Sequence, residues 1–359
     1  MSRYIIRRLL LSLPVLVGVI FLVFVLARVI PGNPCVDALG ERATIQQVSA
    51  CQARFGLDKP IWTQFVIYLQ QIATGDLGTS FQRHLPVTDL IIQRLPTTVE
   101  LSFYALFFAI SIGVPLGIVS AYRRGSKTDV ASMVFANLGF STPVFVLGLV
   151  MAFLFAVVLK GTFFSLPPGG RLSAGVVVQP LDKVWGVFHG ATGVLDAFLT
   201  FISGIYTLTA LITFQWNAFI DAFRHLLLPA IALATIPMAI IARITRSSLL
   251  DVMGRDYVRT AHAKGLSNWL VLVRHALPNA MLPVVTIIGL QVGLLLSGAV
   301  LTETVFGLAG VGSTVVTAIG ARDYSVVQGF VIVIAVIFMV VNLIVDVSYA
   351  YLDPRVRLS

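Results

Sequence analysis

This 359-residue chain has little charge: 11% of it is Asp, Glu, Lys or Arg, with 16 acidic and 25 basic residues. That is too little polar surface for a soluble globule of this length. Cysteine occurs twice, at Cys35 and Cys51, so at most one bridge can form. The pair would close a 17-residue loop worth roughly 3 kcal/mol, and two unpaired thiols fit the spacing equally well. The five histidines, His84, His189, His225, His262 and His275, have no metal-ligand spacing, so surface roles are expected of them rather than a metal site. No G-x-x-x-x-G-K-[ST] loop is present, so this chain does not cradle a nucleotide through that motif. Ionisable residues at mid-membrane and internal repeats are also missing, against an ion-driven transporter working alone. Ser102, Ser111, Ser141 and Ser297 lie in apolar runs, but none has a histidine at a matching depth, against an intramembrane protease.

Apolar residues fill the space that charge leaves. They make up 57% of the chain, with a mean hydropathy of +0.93, the composition of a membrane protein. Six runs between charged residues could span: Leu9 to Ala27, Leu101 to Tyr122, Val130 to Leu159, Leu226 to Ala242, Ala276 to Thr302, and Tyr324 to Val345. The fourth, the shortest, meets the lower limit of about 17 residues for a helix crossing ~30 Å of hydrocarbon. The expected fold is therefore all-α with six transmembrane helices. The first run ends in ARVIPGNP without a small-x-small cleavage pattern, so it is expected to be an uncleaved span. More than half of the basic residues cluster in the N-terminal tail, the loop after the second run, the stretch from Arg243 to Arg274, and the C-terminus. By the positive-inside rule, both termini and the 243–279 loop are cytoplasmic. The formal charge of +9 thus reflects topology and contact with anionic headgroups, with no nucleic-acid partner.

A further uncharged run, Ala197 to Ile220, is long enough to cross. Crossing would move the basic loop and C-terminus outside, and its threonines make it more polar than the other six. It is expected to belong to a long outer insertion, about 160–225, lying on the membrane surface or against a partner. Trp62, Phe65, Tyr68 and Leu69 predict an amphipathic helix on the outer membrane face. Pro115 and Pro143 are expected to loosen the second and third spans.

Between the fourth and fifth spans lies DYVRTAHAKGLSNWLVLVRHALP, Asp256 to Pro278. Leu250, Met253, Tyr257 and Ala261 recur at helical spacing, Gly265 is placed for a left-handed cap, and Ser267 can cap a second helix. Trp269, Leu272, Val273, Ala276 and Leu277 form the apolar stripe of that second helix, which Pro278 is expected to stop. The pattern resembles the EAA loop of ABC importer permeases, with Arg259, Thr260 and Ala261 in the first three places and Gly265, Leu277 and Pro278 at matching offsets. Arg259 and Thr260 replace Glu and Ala, as in the peptide and nickel branch.

RLPTTVELS, GVPLG, STPVF, GLQVGLLLSGAVLTETVFGLAGVG and DPRVR follow in family order over nearly the full length. Together they resemble the first permease subunit of dipeptide and oligopeptide ABC importers, with the dipeptide branch nearest. Asn33, Ala309 and the longer insertion depart from the family pattern. The resemblance implies the type I importer fold, with residues 1–95 as first span plus outer amphipathic segment and 96–359 as the permease core. It implies a bacterial inner-membrane, non-catalytic subunit that moves peptides by alternating access. Its partners would be a second permease, two ATPases carrying ATP and Mg, and an outer peptide-binding protein. Nickel, glutathione, haem and antimicrobial peptides are the alternative cargoes.

In that picture Asp256, Tyr257, Arg259, Thr260, Ala261, Lys264, Gly265, Leu277 and Pro278 couple to an ATPase. Gly289, Gln291, Gly293, Ser297 and Thr302 are small or polar residues that can line a path. Glu100 and Glu303, at outer span ends, and Asp346, near an inner end, are candidate cargo contacts or partners of Arg94, Arg322 or Arg355.

Overall fold

The computed structural model describes residues 2–29, 34–40, 43–54, 56–186 and 193–352. Sixteen helices appear among them, in chain order. The first four are α1 (Ser2–Val29), α2 (Pro34–Leu39), α3 (Ile45–Arg54) and α4 (Ile61–Ala73). Next come α5 (Val87–Tyr122), α6 (Lys127–Ser141) and α7 (Val144–Phe153), the last extended by a π-helical turn, Leu154–Val158. The insertion holds α8 (Leu181–Trp185), α9 (Val194–Ser203) and α10 (Tyr206–Ile212), before α11 (Trp216–Met253). α12 (Asp256–Ala263), α13 (Asn268–Val271), a π turn (Leu272–Ala276), α14 (Leu277–Val305), α15 (Val311–Gly320) and α16 (Tyr324–Leu352) complete the chain. Thr79 and Pro86 form an isolated bridge.

Among the described residues, five helical stretches are long and apolar enough to cross a membrane: those within α1, α5, α11, α13–α14 and α16. The third expected span, Val130 to Leu159, is not one helix. Thr142, forced to extended backbone (φ −90°, ψ 126°) before Pro143, breaks it into α6 and α7, bent by 101°. Pro115 acts differently from expectation, since α5 runs through it unbroken. Gly113 and Gly117 flank it, and there a Cβ would lie 2.8 Å from the Met238 carbonyl and 2.6 Å from that of Ala242. The GVPLG stretch is thus where α5 and α11 approach backbone to backbone. Gly289 and Gly293 of α14 instead make room for side chains of α16, those of Val345 and Phe338.

The run from Ala197 to Ile220 folds as α9 and α10, bent by 93°, and the start of α11. At 1.5 Å per residue the two arms are about 15 and 10 Å long, each short of a bilayer core. A Cβ at Gly204 would stand 2.6 Å from the Pro96 ring, so glycine lets the bend sit on α5. Cys35 and Cys51 are bonded, clasping α2 to α3. Leu13, Phe107, Leu149, Leu294 and Ile344 are among the large apolar side chains left exposed, as a lipid-facing surface requires.

Candidate coupling elbow and buried acid junctions

α11 ends at Met253, and after Gly254 and Arg255 the chain re-enters helix as α12. The break shifts the helical phase, so the buried face of α12 is Val258 and Ala261, packed with Val271 and partly buried Val252, Met253 and Leu266. Tyr257, placed on the apolar stripe by its spacing, is 43% exposed instead. Arg259 and Asp256 form an open 3.5 Å pair, and Thr260 and Lys264 are also exposed. Gly265 turns the chain with φ +80°, as its position suggested. Ser267 accepts from Leu270 N at 3.4 Å and caps α13.

The second helix differs from its expected stripe. Val271, Leu272 and Ala276 are buried, whereas Trp269 and Val273 are exposed. Leu277 is half-buried and Pro278 exposed. Pro278 does not stop the helix. It sits in the first turn of α14, where its missing N–H is tolerated, and the preceding π turn absorbs the change of register. Leu272, Ala276 and Ala280 form one cluster with Ala121 and Leu249. The Trp269 ring stands edge-on to Tyr122 at 5.9 Å. The tip of the elbow is therefore open while its root is wedged among α5, α11 and α14.

Close to that root lies a junction the sequence reading did not single out. Asp129, 5% exposed, accepts from Nε and Nη2 of Arg246, both at 2.9 Å, from Gly125 N at 2.9 Å, and from the Ser120 hydroxyl. A bidentate pair of this kind fixes angle as well as distance, here between the α5–α6 turn and α11. The sequence signal was Ser126-x-x-Asp129 at a helix start, with Ser126 capping α6.

Two of the three acids expected to meet cargo, Glu100 and Glu303, are buried and hydrogen-bonded within the chain. Glu100 is 2% exposed and accepts from Arg171 Nη2 at 2.6 Å and from the Thr207 N–H and hydroxyl, each at 2.7 Å. Its ion-pair partner is Arg171, not Arg94 or Arg322, and it pins the insertion to α5. Arg171 also stacks on Tyr206 and donates to the Gly204 carbonyl. Glu303, fully buried, accepts from the Thr98 hydroxyl at 2.5 Å and from Ser313 N at 3.0 Å. It thereby satisfies donors at the start of α15. Gln291 and Thr302 are buried on α14. The side chains of Ser297 and Asp346 lie outside the described residues, as do Asn33 and the terminal arginines.

A model of the binding-protein-dependent transport system inner membrane component matches residues 113–358, and the corresponding N-terminal model matches 1–102. This chain belongs to that family. Relatives include the dipeptide transport system permease protein DppB of Alkalihalophilus pseudofirmus, 43% identical across 99% of this chain and all of its own. The Escherichia coli K12 protein of that name is 40% identical over 99% of both chains. The di/tripeptide transport system permease protein of Pseudomonas aeruginosa UCBPP-PA14 is 41% identical over the same shares. The family member described here is accordingly a transport permease subunit of the inner membrane, with the all-α fold its composition required.

Proposed function

We propose that this permease carries di- or oligopeptides inward by alternating access, driven by separate ATPase subunits that grip the 256–278 elbow. The observation that carries the reading is the contrast within the elbow. Tyr257, Arg259 and Lys264 stand open around a turn whose root is packed against three long helices. A force applied to the tip reaches α5, α11 and α14 through Leu249, Leu272 and Ala276, because close-packed side chains shift as bodies. Arg259 and Lys264 suit an acidic surface, and the exposed Ala263 allows close approach, whereas Ala261 is packed inside against Val271. A second permease would complete the conduit, and an outer binding protein would deliver cargo. ATP and Mg would be held by the ATPases. Peptide rather than metal or haem is favoured by the names of the relatives. Reconstitution into vesicles with the partner subunits tests it: uptake of a labelled dipeptide should require ATP. Uptake driven by an ion gradient without the ATPases overturns the reading.

A further inference from the structure

Away from the elbow and the acid junctions, a cavity of about 320 Å³ opens between the first and last long helices. Arg28, in the last turn of α1, lines it together with Gln64 and Tyr68 of α4 and with Ser325 and Gln328 in the first turns of α16. Three buried polar atoms of its lining residues have no hydrogen-bond partner: Nη1 of Arg28, the hydroxyl of Tyr68 and Nε2 of Gln328. Gln328 is only 4% exposed. Three such atoms in one cavity are unusual, since leaving a buried donor unmade costs about 1–3 kcal/mol.

All three can donate. Arg28 donates from Nε to the side-chain Oε1 of Gln64 at 3.3 Å and lays its guanidinium over the Phe24 ring at 4.1 Å, which holds the fork in place and leaves Nη1 without a partner. Burial pushes the Tyr68 phenol above its ordinary range, so it keeps its proton. The carboxylate on the cavity wall, Asp76, is exposed and accepts from Gly78 N at 2.8 Å. Among the described residues no carboxylate pairs with Arg28. A part-buried guanidinium with an enclosed, unpartnered Nη1 and no described carboxylate beside it, next to two further donors, is complementary to an oxyanion.

Depth says which oxyanion. Arg28 follows directly on the apolar run that ends at Ala27, the level at which headgroups begin. Phe21 stacks on Trp62, Phe24 meets Phe65 and Tyr68, and Trp62 is 69% exposed, as in an interfacial aromatic belt. Ala53, Gly56 and Leu57 form another wall, on the segment that the Cys35–Cys51 bond holds down. We propose that this cavity binds a phosphate group, presented by a phospholipid headgroup of the leaflet on that side, and that the bound phosphate ties α1 to α16.

The test uses the full chain, purified in detergent and delipidated. Phosphatidylglycerol, diacylglycerol with the same acyl chains, and inorganic phosphate are each titrated, with retention read by native mass spectrometry and melting temperature alongside. Phosphatidylglycerol should be retained and raise the melting temperature, with diacylglycerol much weaker. Arg28→Met should weaken retention about ten-fold and Tyr68→Phe about three-fold. Arg124→Gln, an exposed arginine of the α5–α6 turn, should change nothing. Tyr68→Phe removes one oxygen and carries the test if Arg28→Met does not fold. Inorganic phosphate stabilising as well as phosphatidylglycerol would keep the phosphate site and overturn its lipid source. Diacylglycerol binding equally, or both variants retaining phosphatidylglycerol like the parent, would overturn the site.

Discussion

At Gly265 the chain turns with φ +80°, and no atom lies within 4 Å of where a Cβ would stand. A side chain there meets no neighbour, so its cost is backbone cost alone, about 1–2 kcal/mol for a residue with a Cβ in the left-handed region and more when it is β-branched. At about 1.4 kcal/mol per factor of ten, Gly265→Val should lower the ratio of native to alternative turn at least ten-fold. The root of the elbow, with Leu249, Leu272 and Ala276 fully buried, is untouched, so insertion and most of the melting temperature should survive. The assay is ATP hydrolysis by the assembled transporter in proteoliposomes, with and without substrate-loaded binding protein. Gly265→Val should lower the stimulation, by at most about nine-tenths for a ten-fold shift of the ratio. Gly265→Asn should keep most of it, because Asn visits the left-handed region at low cost. Gly254→Ala is the matched control, since Gly254 has φ −79° and its nearest neighbour would be 3.6 Å from the new Cβ. Full stimulation in the valine variant, with normal insertion, would refute the elbow as the transmitter.

Three further outcomes follow from the buried contacts. Asp129→Ala leaves Arg246 unpaired and should destabilise by about 3 kcal/mol, the low end for a buried pair because the arginine is partly exposed. Adding Arg246→Met should cost little more, and losses that simply add in thermal melts would contradict the pairing. Arg171→Met should release the insertion from Glu100, so limited proteolysis should cut the 160–215 region faster; an unchanged cleavage rate would count against that anchor. Replacing both Cys35 and Cys51 with serine should lower stability by roughly 3 kcal/mol, and a reductant should shift the parent's melting but not the double variant's.

How far the sequence could be read differs by element. Gly265 and Ser267 were legible because each is a local device, a left-handed turn and a hydroxyl cap, that depends on few neighbours. The phase of α12 was not. Leu250, Met253, Tyr257 and Ala261 keep helical spacing across Gly254 and Arg255, and spacing alone does not show that the axis turns there. Pro143 and Pro115 look alike in sequence, yet one ends a helix and the other lies within one whose glycines are pressed against α11. Glu100 was visible as an acid at a span end, but its partner Arg171 lies 71 residues away on the insertion. Side chains that distant meet only through tertiary packing.

Composition and pattern by themselves determined that this chain must live in lipid, as helices, with its basic elbow set apart from its long apolar runs. Those properties follow from short-range rules: apolar length against bilayer thickness, and backbone groups that must be satisfied within the helix. Only the tertiary structure decided which charges are neutralised inside, that Cys35 finds Cys51, and that Arg28, Tyr68 and Gln328 share one cavity. Each of these depends on segments far apart in sequence being brought within a few ångströms, a distance that neither spacing nor hydropathy encodes.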